Sequence, residues 1–233
     1  MLYLSISDLH IGRGRFLKNG EINILEDFEE DTALIEFINY FSTGQYLDLP
    51  VTLVLNGDIL NLLQIDLGGV FPYIIDEKIV IAQIERVVHG HKEIFSALAQ
   101  FLNRPNKRII YIIGNHDAGL FFQRAKEAMW RLIHPSIQFE VFWVDNGIHF
   151  EHGHRFEDIN YVPFHKLFVS GPGDVPILNL PWGGLFCIFA LPLLKKDRPF
   201  IDRIRPVKTY VKWAIIHDFP YFIRLVVIFL KFL

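Results

Sequence analysis

One cysteine, Cys187, stands in 233 residues, which excludes an internal disulfide framework and any multi-cysteine zinc site and makes a reducing compartment the expectation. No basic stretch or long apolar segment of the secretory type opens the chain. Met1 runs straight into Leu2-Tyr3-Leu4-Ser5-Ile6, so the amino terminus is expected to be cytoplasmic and already structural. The sequence has no internal repeat, no helix-turn-helix pattern and no aromatic-basic RNA motif, and no nucleic-acid partner is expected. Apolar side chains make up 51% of the chain, enough for the core of one domain or of one domain with an appendage.

The net charge of −3 hides an asymmetry, because residues 174–233 carry nine Lys/Arg against four Asp/Glu while residues 1–173 carry 14 against 22. An acidic body argues against broad DNA binding, and a tail that is both basic and apolar suits an anionic membrane surface. The uncharged window 175–194 has the length of a bilayer crossing, but Pro176, Pro181, Pro192 and Gly183-Gly184 argue against a continuous helix there. An interfacial segment or a lid is expected instead. Arg224 and Lys231 interrupt the final apolar run on one helical face; Phe222, Leu225, Val226, Phe229 and Leu230 are expected to supply much of the buried side.

Short runs rich in Val, Ile, Leu and Tyr at 2–7, 51–57 and 108–113 each end in a polar or glycine-containing turn and read as buried strands. Helical patterns at 25–40 and 77–103 lie between them, and the alternation predicts a parallel α/β core. Two more strands are expected at 138–144 and 148–152, joined by Asp145-Asn146-Gly147, whose Asn-Gly pair favours a tight hairpin.

The strand ends carry the chemistry. The first delivers Asp8-Leu9-His10, and residues two apart in an extended segment point the same way, so a carboxylate and an imidazole can grip one cation. The second ends in Asn56-Gly57-Asp58, placing a carboxylate at the same sheet edge, where it can bridge two metals. The third ends in Gly114-Asn115-His116-Asp117: an amide oxygen as neutral ligand, an imidazole for proton transfer, and a carboxylate able to orient that imidazole. Open α/β sheets place their sites at such a crevice. His152 and His154 in Glu151-His152-Gly153-His154 offer two further imidazoles after the hairpin, and Arg13, Arg15 and Arg124 are candidates for contacting a substrate phosphate. His89 and His91 fall within a helical pattern and are not expected to be ligands.

In this order the blocks resemble the calcineurin-like metallophosphoesterase superfamily, over about residues 2–157. The resemblance implies an α-β-β-α sandwich formed by residues 1–160, with residues 161–233 as an apolar, basic helical lid or membrane-associating segment. It also implies two divalent cations, Mn²⁺ first and Mg²⁺, Fe or Zn²⁺ as alternatives. Their ligands would be Asp8, His10, Asp58, Asn115 and His152, with Asp8 and His10 on one cation, Asn115 and His152 on the other and Asp58 between them. His116, oriented by Asp117, would serve the leaving oxygen, and water activated between the cations would hydrolyse a phosphoester or pyrophosphate bond. The family's final Gly-His-x-His block does not follow residue 157, so the sandwich is expected to be incomplete and the chain a fragment; a scaffold without turnover is the competing reading. Asn61 stands where many members carry an acidic residue. A narrower resemblance, to UDP-2,3-diacylglucosamine pyrophosphatases, implies a lipid-linked substrate at the inner face of the membrane, although those enzymes commonly have Arg where His116 stands.

Overall fold

The computed structural model describes every residue except Lys18 and Leu233; the side chains of Lys231 and Phe232 also lie outside the described residues, and with them the expected role of Lys231. Its centre is a four-stranded sheet, β1 (Leu2–Ile6), β2 (Val51–Asn56), β3 (Lys107–Ile112) and β4 (Gln138–Glu140), in that spatial order. Every neighbouring pair is parallel, with Leu4 opposite Leu53 and Leu53 opposite Ile109. Parallel pairing brings the carboxyl ends of β1, β2 and β3 to one edge of the sheet.

Alternation along the strands divides the core. Leu53, Leu55, Ile109 and Tyr111 face a helical layer made of α1 (Asp31–Tyr40), α2 (Glu77–Gly90), α3 (Lys92–Leu102) and α4 (Gln123–Leu132), whose buried residues include Ile38, Ile84, Leu98 and Met129. Val54, Ile110 and Ile112 face the other way, onto Trp143 and Phe150 of a hairpin formed by β5 (Phe142–Asp145) and β6 (Ile148–Glu151). Asn146 at φ 48° and Gly147 at φ 77° make its two-residue turn. Tyr3 Oη (2.8 Å) and Arg108 Nη2 (3.1 Å) donate to Asp145 and moor the turn end of the hairpin to the sheet. Phe142 and Val144 on its outer side are exposed. The second helical layer of an α-β-β-α sandwich is therefore not seen over them among the described residues; the observed fold is a mixed α/β arrangement on a parallel sheet.

Two helical expectations need correction. The pattern at 25–40 gives a helix only from Asp31, because the buried Glu26 carboxylate accepts from the backbone N–H groups of Gly12 (2.8 Å) and Gly14 (2.6 Å) and holds its own segment as a loop. The pattern at 77–103 breaks between Gly90 and His91. A Cβ on Gly90 would run into the carbonyl of Arg13, and the buried His91 ring turns toward Asp31 (Nδ1 to Oδ2, 2.8 Å) and Glu26 (Nε2 to Oε2, 3.5 Å).

Residues 161–233 add a short hairpin, β7 (Phe168–Ser170) with β8 (Pro176–Leu178), and four helices, α5 (Trp182–Phe189), α6 (Leu191–Asp197), α7 (Val207–His217) and α8 (Phe219–Phe232). Leu178 and Ile188 join the main core. No described helix is long and apolar enough to cross a membrane. Arg224, expected on the basic face of the final helix, pairs with Asp197 of α6 at 2.7 Å.

Candidate metal centre

Backbone hydrogen bonds lace the segments leaving β1 and β2 together: Asp8 N–H donates to the Gly57 carbonyl (3.1 Å), His10 N–H to Asp58 (3.0 Å), Ile11 N–H to Ile59 (2.8 Å) and Asn61 N–H back to Ile11 (2.9 Å). Within this lacing Asp8, His10 and Asp58 all take left-handed backbone angles, with φ of 54°, 51° and 52°. For residues with a Cβ that conformation costs ~1–2 kcal/mol each, and such strain gathers where side chains must point in a particular direction. Two glycines let the segments approach. A Cβ on Gly57 would sit 2.6 Å from Nδ1 of His152, and one on Gly114 would sit 2.5 Å from the Asp58 backbone nitrogen.

The result is two overlapping triads that share Asp58: His10, Asp58 and His116 in one, and Asp8, Asp58 and His152 in the other, each with ligand atoms within 4.8 Å of one another. Asp58 Oδ1 accepts from the His116 backbone N–H at 2.8 Å, while Oδ2 lies 3.3 Å from His152 Nε2 and 3.9 Å from His10 Nε2. Burial alone would raise the Asp58 carboxyl; the His152 hydrogen bond and the fields of His116, His152 and His10 outweigh it and hold the group well below the usual carboxylate range. For His152, burial opposes the charged form, but Asp58 and the Asn56 carbonyl prevail and bring it to about 9.

Tautomers follow from the partners. His152 Nδ1 lies 3.0 Å from the Asn56 carbonyl, which can only accept, so Nδ1 carries hydrogen and Nε2 faces Asp58. Asn61 Nδ2 donates to Gln64 Oε1 (3.0 Å) and Asp27 Oδ2 (3.3 Å), which turns its Oδ1 toward His116 Nδ1 at 2.9 Å. His116 Nδ1 is then the protonated nitrogen. Burial, reinforced by His10 and His152, lowers His116 to about 4 against the pull of Asp58, so the ring is neutral at pH 7 and its Nε2 presents a lone pair.

No family model, curated protein or solved structure matches the chain. What the site can do chemically follows from its own donors. Imidazole nitrogens and carboxylate oxygens, with one carboxylate common to two triads, suit a pair of divalent cations. The grouping differs from that implied by the resemblance, since Asp8 stands with His152 and His10 with His116.

Asp117 does not orient His116. Its buried carboxylate accepts from the backbone N–H groups of Gly114 (2.6 Å) and Ile59 (2.9 Å) and from Tyr111 Oη (2.8 Å), so it braces the turns that carry Asn115 and Asp58. Burial and the nearby Asp58 charge raise it to about 7. Asn61 fills the orienting role, and the His116 ring stands in the triad with His10 and Asp58.

Asn115 and His154 line one cavity, with Arg155 beside them over the Phe164 ring at 4.3 Å. His154 Nδ1 is buried there with no hydrogen-bond partner among the described residues. Burial and the His152 charge lower its ring to about 4. Of the expected phosphate-binding arginines, Arg13 pairs with Asp66, Arg15 lies over Phe16 at 5.8 Å, and Arg124 sits 3.8 Å from Glu77. Arg155 was not singled out in the sequence, where it is one loop arginine among several. Cys187 of α5 lies 3.9 Å from His116 Nε2 and bounds the centre on the side of the C-terminal helices; burial pushes its thiol up to about 12.

Proposed function

We propose that this chain is a metal-dependent phosphoesterase that hydrolyses a phosphoester or phosphoanhydride bond with two divalent cations, Mn²⁺ first and Mg²⁺, Fe or Zn²⁺ as alternatives. The observation that carries the reading is the sharing of Asp58 by two histidine-containing triads. Bound cations would neutralise phosphate charge and lower the pKa of water toward ~7, making a nucleophile available at neutral pH. Asp58 would hold the pair together, His10 and His116 would serve one cation, and Asp8 and His152 the other, with Asn115 at the turn between them. His154, whose ring lies 5.3 Å from that of His152, and Arg155 beside it would contact a substrate phosphate or its leaving group. The sandwich of calcineurin-like phosphoesterases is the fold to which this parallel sheet and hairpin would then correspond.

The test is metal-reconstituted protein assayed against p-nitrophenyl phosphate, its bis-ester and a pyrophosphate, with cations counted by elemental analysis. Two cations per chain and hydrolysis that chelator abolishes and Mn²⁺ restores are expected. Stoichiometric metal without turnover on any of the three would favour a scaffold, and no metal at all would refute the centre.

A second reading concerns location. Ile216, Phe219 and Leu230 on α7 and α8 are 74%, 54% and 66% exposed, and Lys208 and Lys212 are exposed on α7. That combination favours peripheral docking on an anionic membrane. Liposome flotation should strengthen with anionic lipid and weaken with salt; indifference to both would end this reading and leave the hydrolase reading intact.

A further inference from the structure

Lys195 on α6 is 1% exposed, and a buried ammonium survives only where carboxylates compensate it. Its Nζ pairs with Asp27 and lies 2.9 Å from Asp202 Oδ2. Arg203 Nη2 adds a 2.8 Å hydrogen bond to the Asp27 backbone carbonyl. The other oxygen of Asp27 accepts from Asn61 Nδ2, and Asn61 Oδ1 accepts from His116 Nδ1. An asparagine amide has a donor end and an acceptor end of nearly the same shape, so its direction is set by its partners alone. An ionised Asp27 can only accept, which fixes the donor end toward itself and the acceptor end toward His116. Without the ammonium, a carboxylate this buried would gain a proton or turn toward solvent, and the amide would keep only Gln64 Oε1 at 3.0 Å, an amide whose own two ends can exchange and which therefore fixes no direction.

We propose that Lys195 is a positioning residue for the candidate metal centre: through Asp27 and Asn61 it fixes the His116 ring with hydrogen on Nδ1 and the lone pair of Nε2 toward His10 and Asp58. The C-terminal helices are on this account part of the site's machinery, entering it by a charge and not by a ligand. The inference rests on the metal-centre reading for its consequence, though not for its geometry.

The test reads the imidazole directly in metal-free protein, by long-range proton–nitrogen NMR spectra in which His116 is assigned with His116→Gln. In the wild type His116 is expected as a single tautomer protonated at Nδ1. Lys195→Met should replace that pattern by a tautomer average, and Asp27→Asn, which keeps the volume and leaves Lys195 its Asp202 partner, should do the same if Lys195→Met fails to fold. In an Asn61→Ala background neither change should alter the His116 signal further, because the path is already cut; a purely structural lysine would perturb both backgrounds alike. Metal affinity should fall by ~10-fold or more in Lys195→Met, the usual effect of losing a partner that orients a ligand. An unchanged His116 tautomer in both single variants would overturn the inference whatever the activity, whereas a shifted tautomer in a protein that hydrolyses no phosphoester would sustain it and count against the hydrolase reading alone.

Discussion

Replacing Gly57 by alanine perturbs the candidate centre through backbone and packing only, since no ligand atom changes. Two costs are expected. Gly57 has φ 81°, where a Cβ costs ~1–2 kcal/mol. The new methyl would also sit 2.6 Å from His152 Nδ1, and the ring is held on its far side by Asp58, so it must leave its place. Forcing an extra carbon into a packed site typically costs ~1–3 kcal/mol, giving ~2–5 kcal/mol in all. Gly147→Ala separates the two parts, because Gly147 has a similar φ of 77° and nothing within 4 Å of its would-be Cβ; it should lose only the backbone share, ~1–2 kcal/mol. Urea unfolding at constant slope measures both, and a cation titration of the folded variants follows. Gly57→Ala should bind fewer cations than wild type, and Gly147→Ala the same number. The reasoning fails if the two variants are equally stable and take up equal metal.

Asp58→Asn should abolish cation binding and turnover, while Asn61→Ala should keep much of the metal and weaken its affinity by ~10–100-fold, as for other residues that orient ligands; equal metal content and activity in the two would refute a shared carboxylate. Lys107→Met should destabilise by ~2 kcal/mol or more in urea unfolding, because the three hydrogens of Lys107 Nζ are shared among the carbonyls of Tyr46, Leu47, Leu49 and Pro105 at 2.7–3.2 Å and methionine donates to none of them; a loss under ~0.5 kcal/mol would show that the carbonyls find water. For His91, burial works against the charge but Glu26 and Asp31 outweigh it, raising the ring above the ordinary histidine value. Its stabilising contribution is then complete below the unfolded pKa of ~6.5 and is lost as pH rises through the folded value, so the stability gap between wild type and His91→Gln should narrow from neutral to alkaline pH; a widening gap would contradict the sign.

Much of the sheet was legible because each strand is a short apolar run closed by a turn residue, and the parallel arrangement follows from the helical segments between them. That Asp8, Asp58 and His116 meet at one edge is a corollary of that order. The break at Gly90-His91 was not legible: the apolar period continues through it, and its cause is the Arg13 backbone, far away in sequence. The loop at 25–30 was hidden in the same way, since Glu26 looks like an acidic first helical turn until the amides of Gly12 and Gly14 are seen to claim it. Asn61 takes the orienting role expected of Asp117 because His116 and Asp117, neighbours on a tight turn, point to different sides. Nothing local in the sequence announces the pairing of Asp27 with Lys195.

That pairing spans 168 positions along the chain, and it sets an order of events during synthesis. All the ligand candidates lie between Asp8 and His152, so they leave the ribosome before α6 does. At ~5–20 residues per second, several seconds separate the emergence of His152 from that of Lys195. On the metal-centre reading, the nascent chain would carry during that interval its full set of candidate ligands, with His116 not yet clamped from behind and Asp27 without its ammonium. A growing chain would thus be able to collect cations before it can use them, with the closing of α6 onto Asp27 as the moment at which the centre becomes fixed.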